Sequence, residues 1–271
     1  MARVKTEFVQ VGDIEIAYRI FGKGHPLVMI MGYSGTMDLW PKKVLEILSS
    51  KYKVVVLDNR GMGRTSLSDK EMSIKLFAED TAGLLKALGI KQAHVLGWSM
   101  GTNIAQELAL RYPKIVNKLV LYAADCGGKE AIKSAFDTIN ALIDASVFKE
   151  KKVKRVLREL FQHKWLKKNM DSRKYMPYAR KRTPDINIRR QWEAIESWRG
   201  TYTRLHKITA PTLLVTGDHD MATPSANSLI LAQRIPDSHF VQIKNGGHGV
   251  MYQYPKQFSR IVLYFLKSTE K

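Results

Sequence analysis

The sequence predicts an α/β fold: a mostly parallel, eight-stranded sheet flanked by helices and interrupted once by a helical insertion. Short apolar runs without alternation recur along the chain, the pattern of strands covered on both faces. Helix-period segments separate them, so strands and helices alternate as βα units with right-handed crossovers. Between Gly127 and Gly200 that rhythm stops, and it resumes at Pro211.

Residues 7–10 and 14–20 alternate apolar and polar side chains around Val11-Gly12-Asp13, as an antiparallel hairpin with one wet face does. Residues 26–31 are apolar throughout and end at Gly32. The runs 54–57, 94–96, 116–123 and 212–216 read the same way, and 239–243 adds the last strand. Helical patterns cover 41–50, 73–88 (stopped by Gly89), 100–112 (stopped before Pro113), 224–234 and 255–267. Residues 127–200 hold no strand-like run; they are basic, helix-permissive and contain Trp165, Trp192 and Trp198. The chain thus divides into a core, 1–126 with 201–271, and an inserted segment, 127–200.

With 45% hydrophobic and 25% charged residues, the 271-residue chain has an ordinary globular composition. Its longest apolar runs, about six to eight residues, fall well short of the roughly 20 needed to span a bilayer. Met1-Ala2-Arg3-Val4-Lys5 leads straight into strand-like sequence without an apolar signal core, which reads as a cytoplasmic chain or a mature form with its signal removed. The single cysteine, Cys126, excludes an internal disulfide and a cysteine metal cluster, and reads as a small buried hydrophobe at a strand end. The net charge of +19 is concentrated: residues 149–190 hold 16 Lys or Arg against 4 Asp or Glu. Such a stretch reads as a solvated lysine-rich surface, or as an attractor for anionic substrates or an acidic carrier protein. Nucleic-acid or membrane binding is the third reading, and it is the least favoured because no nucleic-acid module accompanies the charge.

The chemistry centres on Gly97-Trp98-Ser99-Met100-Gly101, at a turn from a strand into a helix. Glycines two residues either side of the serine relieve crowding, so such a turn projects its hydroxyl outward. The helix N-terminus behind it offers free N–H groups toward developing negative charge. Serine needs an adjacent base, and the base needs an orienting carboxylate. Asp218 and Asp220 arrive in the loop after the 212–216 strand, and His248 arrives in Asn245-Gly246-Gly247-His248-Gly249 after the next one. The order serine, acid, histidine suits a triad assembled at the carboxyl ends of parallel strands.

On these residues the chain resembles the α/β-hydrolase superfamily over nearly its whole length. Gly217-Asp218-His219-Asp220 followed by Pro224 resembles a family segment whose second acid orients the histidine. This implies Asp220 in that role, Asp218 on loop backbone and His219 as structural or facing solvent. The segment 56–64 resembles the family's D-x-R-G-x-G loop, with Asp58 and Arg60 organising it. Met31-Gly32-Tyr33 resembles the oxyanion-forming H-G-x segment, with the histidine replaced by methionine. The implied oxyanion donors are the amides of Tyr33 and Met100. The resemblance also makes 127–200 a helical cap over Ser99, its aromatics (Trp165 among them) lining an acyl pocket with Trp98, Met100, Val250 and Met251.

Serine at the nucleophile position separates the chain from haloalkane dehalogenases and soluble epoxide hydrolases, which use aspartate there. The resemblance implies a serine hydrolase cleaving carboxylic esters or thioesters of small molecules through an acyl-serine. Perhydrolase or cofactor-free haloperoxidase-like chemistry and C–C bond hydrolysis with the same triad are alternatives, as is a non-catalytic receptor or scaffold. No metal or organic cofactor is implied, for the sequence has no HExxH, Walker loop or GxGxxG at a strand–helix junction.

Overall fold

The computed structural model describes residues 4–134, 156–158, 160–169 and 177–268. The chain runs β1 (Glu7–Val11), β2 (Ile14–Phe21), β3 (Pro26–Ile30), α1 (Lys42–Ser49), β4 (Lys53–Leu57), α2 (Ile74–Ala87), β5 (Ala93–Trp98), α3 (Met100–Arg111) and β6 (Val116–Tyr122). After the insertion come β7 (Thr212–Gly217), α6 (Ser225–Ala232), β8 (Ser238–Ile243), α7 (Val250–Gln253) and α8 (Pro255–Lys267). Within the insertion the described helices include α4 (His163–Lys168) and α5 (Asp185–Glu196).

The eight strands form one sheet in the order β1-β2-β4-β3-β5-β6-β7-β8. β2 pairs antiparallel with both β1 and β4, and every pairing from β4 to β8 is parallel. The hairpin keeps its alternation because one face of β1 stays wet, whereas β3 to β7 are buried on both faces. One apolar cluster lies under α2, α3 and α6, with Phe77, Ile104, Leu108 and Leu231 packed on Val28, Val95 and Leu121. The other lies under α1, α7 and α8, where Leu48, Phe258 and Val262 meet Leu27, Val54 and Leu96. Helix starts follow local chemistry: Ser73 caps α2 by accepting from Leu76 N–H, and Pro255 opens α8 where its missing N–H costs nothing.

The strand sequence places a topological switch at the centre. The chain passes from β3 to β4 on one side, then returns to β5 on the other, so the carboxyl ends of β3 and β5 flank a crevice. The loops after β6, β7 and β8 open on the same edge.

The insertion leaves and rejoins the core at one point. Thr201 N–H donates to Cys126 O at 2.8 Å, and Gly127 and Gly200 face one another with φ of 63° and 80°. A side chain at Gly200 would place its Cβ 2.4 Å from Cys126 O, so only glycine fits this crossing. The returning segment is anchored by fully buried Glu107, which accepts from Trp198 Nε1 at 2.9 Å and from Arg204 at 2.6 Å. Among the described residues, 127–200 contains no strand, and no described helix is long and apolar enough to cross a membrane.

Candidate active site

Ser99 sits between β5 and α3 with φ 54° and ψ −125°, a backbone conformation that non-glycine residues rarely adopt. The two flanking glycines make that turn possible. A Cβ on Gly97 would lie 2.3 Å from Gly101 O, and one on Gly101 would lie 2.2 Å from Ile30 O. Both contacts are with backbone, which has no rotamer to yield. Gly101→Ala is therefore expected to destabilise the fold by about 3 kcal/mol or more, read as a lowered denaturant midpoint at unchanged slope.

Gly32, just past β3, packs its backbone directly on the serine: a Cβ there would lie 3.1 Å from Ser99 Cβ. The Gly32–Tyr33 peptide therefore borders Ser99 on one side. On the other, Met100 is the first residue of α3, and its N–H has no acceptor within the helix. Asn59, from the loop after β4, steadies this edge by donating to Met31 O at 3.3 Å.

Asp220 and His248 meet because the loops after β7 and β8 touch. Gly217 and Gly246 pass so closely that a Cβ on Gly217 would lie 2.2 Å from Gly246 O, and His219 N–H donates to that same carbonyl at 2.8 Å. Across this contact both Asp220 carboxylate oxygens approach His248 Nδ1, at 3.0 and 2.9 Å. Asp220 is 5% exposed and His248 2%, so the pair is shielded from water. Asp220 Oδ1 also accepts Thr223 N–H at 2.7 Å. Asp218 instead lies at the surface beside His219, whose Nδ1 is 2.6 Å from Asp218 Oδ1.

The serine strand also holds the histidine loop. Trp98 Nε1 donates to His248 O at 3.3 Å, with the two rings 5.4 Å apart, and the Tyr122 hydroxyl donates to the same carbonyl. Burial raises the Tyr122 pKa well above the usual phenol value, so the hydroxyl keeps the proton it donates. Sequence reasoning missed Tyr122. Its signal was a polar-tipped aromatic at the end of a fully buried strand, which needs a partner there.

A second overlooked residue is Asp125, just beyond β6. Its Oδ1 accepts Gly127 N–H at 2.7 Å and Asn103 Nδ2 at 3.3 Å. Burial raises its pKa, opposed by those hydrogen bonds and by the nearby His248 charge. Cys126 next to it is buried, and desolvation pushes its thiol up to about 11, which leaves it protonated and unreactive.

The remaining expected pocket residues are spread out. Trp98 is mostly covered by Tyr122 and Tyr252, while Val250 and Met251 are fully buried on α7. Half-buried Trp165 lies on α4 with its ring 4.9 Å from Phe161. The insertion reaches the histidine loop through residues just before α4: Leu160 O accepts Gly249 N–H at 2.6 Å, and a Cβ on Gly247 would lie 2.7 Å from that oxygen. Nothing in the 160–162 sequence marks that contact.

The loop after β4 frames the site. Fully buried Arg60 forks onto Asp80 at 2.9 and 2.7 Å and reaches Asp13 at 3.0 Å, so its buried charge is paired on both sides. Asp58 accepts Met37 N–H at 2.7 Å and Arg64 N–H at 2.9 Å. Burial nonetheless pushes its carboxyl up to about 6, because desolvation outweighs those two bonds. The folded state therefore holds this proton more tightly than the unfolded chain, and Asp58's contribution to stability is lost as pH rises from about 4 to about 6. A carboxyl carbon NMR titration should find its midpoint near 6.

A family model described as the alpha/beta hydrolase fold matches residues 25–255. RutD of Azorhizobium caulinodans, provisionally named as a carbamate hydrolase, is 28% identical over 94% of this chain and 96% of its own. The mouse serine hydrolase BPHL is 28% identical over 96% of this chain and 85% of its own. An alpha/beta hydrolase fold protein from Chitinophaga pinensis superposes with a TM-score of 0.83 at 25% identity, covering 99% of each chain. With the sheet order, the tight serine turn and a family match spanning most of its length, the chain belongs to the α/β-hydrolase fold family.

Proposed function

We propose that this hydrolase-family chain cleaves carboxylic esters or thioesters of small molecules through an acyl-serine at Ser99. His248 takes the serine proton as its hydroxyl oxygen attacks the carbonyl, and Asp220 holds the imidazole in the tautomer that can accept it. The amides of Tyr33 and Met100 receive the negative charge on the carbonyl oxygen. The leaving alcohol or thiol departs with the proton from His248. Water, deprotonated by the same imidazole, then attacks the acyl-enzyme and releases the acid and Ser99.

The observation that carries this reading is the buried Asp220–His248 pair, met through both carboxylate oxygens, on the same sheet edge as the strained serine turn. A non-catalytic scaffold has no need of a carboxylate aimed at an imidazole behind such a turn. The name of BPHL agrees with a serine nucleophile, and that of RutD extends the acyl class to carbamates. Neither name mentions a carrier protein, so the acidic carrier protein expected at 149–190 gains no support from them. We assign the described part of the insertion as a cap over this site; 135–155, 159 and 170–176 of the expected 127–200 cap lie outside the described residues.

The test is turnover of p-nitrophenyl esters and matched thioesters of graded chain length, with a fluorophosphonate probe mapped by peptide mass spectrometry. Covalent label on Ser99 and ester turnover are expected. Label on Ser99 without turnover of any ester, thioester or carbamate would instead favour perhydrolysis or C–C cleavage by the same residues. Absence of both would sink the serine-hydrolase reading.

A further inference from the structure

We propose that Gln191, carried by α5 of the insertion, is the positioning residue of the oxyanion loop. Its side-chain oxygen holds the 32–35 turn so that the Tyr33 amide faces Ser99. The inference rests on the function proposed above and deepens it.

The turn is tight and strained. Gly35 N–H donates to Gly32 O at 3.1 Å, and Ser34 between them has φ 56°, a left-handed conformation that persists in serine only when its surroundings impose it. The residue before the turn, Met31, fills the space beneath Gly35, where a Cβ would lie 2.4 Å from Met31 Cγ. A thioether fills volume but gives no strong hydrogen bond. The strong side-chain bond comes instead from far along the chain: Ser34 N–H donates to Gln191 Oε1 at 2.7 Å.

Gln191 is fully buried, and α5 is built into the core rather than laid over it. One turn earlier on the same helix face, Asn187 Nδ2 donates to Gly61 O at 2.7 Å. Trp192 meets the Tyr33 ring edge-on at 5.6 Å, and Ala194 belongs to the cluster under α2 and α3. The helix is thus fixed to the loops after both β3 and β4. Only one end of the Gln191 amide is used: among the described residues its buried Nε2 has no hydrogen-bond partner. An oxygen in this place is what the loop takes from the side chain. Seating the insertion on the core and shaping the oxyanion loop are therefore one event.

The chemistry separates positioning from plain packing. Loss of the oxygen frees Ser34 to relax, which swings the Tyr33 amide away from the charge that develops only in the transition state. Gln191→Met keeps length and volume without a comparable acceptor, whereas Gln191→Glu keeps an acceptor oxygen in either protonation state. For Gln191→Met, kcat on p-nitrophenyl acetate is expected to fall about 10- to 100-fold, up to the loss of one oxyanion donor, with KM within about threefold. The Ki of a trifluoromethyl ketone, which mimics the tetrahedral adduct, should rise by the same factor as kcat/KM falls. Tm should stay within about 5 °C of wild type.

Gln191→Glu should recover kcat to within about fivefold of wild type. Gln191→Ala repeats the test with a different packing defect if the methionine variant folds poorly. Unchanged kcat in folded Gln191→Met or Gln191→Ala, a loss confined to KM, or a glutamate variant that folds yet is as slow as the methionine one would each overturn the assignment. Wild-type protein serves as the control for the reading beneath it. If wild type labels at Ser99 with the fluorophosphonate and Gln191→Met labels just as fast, only the positioning role fails. If wild type does not label, the serine chemistry itself fails.

Discussion

Replacing Ser99 with alanine is expected to lower kcat on p-nitrophenyl acetate by about 10⁴-fold or more and to abolish fluorophosphonate labelling. The binding contacts and the amides beside Gly32 and at the start of α3 survive the change, so any residual rate reports their unaided effect. Ser99→Gly sharpens the test, because it should be equally inactive but more stable than the alanine variant. At φ 54° and ψ −125° a Cβ carries backbone strain on the order of 1 kcal/mol or more, and glycine carries none. That difference corresponds to a Tm about 2–4 °C higher for glycine than for alanine at this size. Full activity in Ser99→Ala would place the nucleophile elsewhere. Equal melting of the two variants would show that the turn is not strained.

Asp220→Asn is expected to cost about 10⁴-fold in kcat while leaving the fold intact. The reason lies in the second bond that Asp220 makes. Its Oδ1 accepts Thr223 N–H at 2.7 Å, so an asparagine would keep its oxygen there and turn its NH2 group toward His248 Nδ1. The imidazole nitrogen would then have to accept, which moves the ring proton to Nε2 and leaves no lone pair to take the Ser99 proton. Nitrogen NMR of the imidazole should show the tautomer reversed, and circular dichroism should show an unchanged melt. Wild-type kcat in the asparagine variant would remove Asp220 from the mechanism and bring Asp125 forward as the orienting carboxylate.

The strands were readable because their burial differs in kind. Two-sided burial writes mostly apolar runs at β3 to β6, broken by His94 in β5 and by Asn117 and Lys118 in β6, and one-sided burial writes alternation in β1. Pro255 and Gly89 punctuate helices through backbone chemistry that needs no tertiary context. Boundaries moved by a residue or two, as at β5, which runs to Trp98 because Gly97 and Trp98 still pair with β6. The 250–253 turn of helix did not appear in the sequence reading, being too short to show a period. Asp218 and Asp220 looked interchangeable by type and spacing. The resemblance favoured Asp220, and its meeting with His248 depends on Gly217 and Gly246 crossing at backbone contact.

Ser99, Asp220 and His248 are marked in the sequence because each lies where a strand ends and a glycine-bearing loop begins, a local signal. Local signals also set the parallel sheet. What only the tertiary structure decided is how those loops are held: Trp98 and Tyr122 on the carbonyl of His248, Leu160 on Gly249, and Gln191 on Ser34. These contacts join residues tens to more than a hundred positions apart, and each depends on a single hydrogen bond to backbone. A backbone amide or carbonyl is the same in every residue, so such a bond leaves no imprint on the sequence of the loop that receives it.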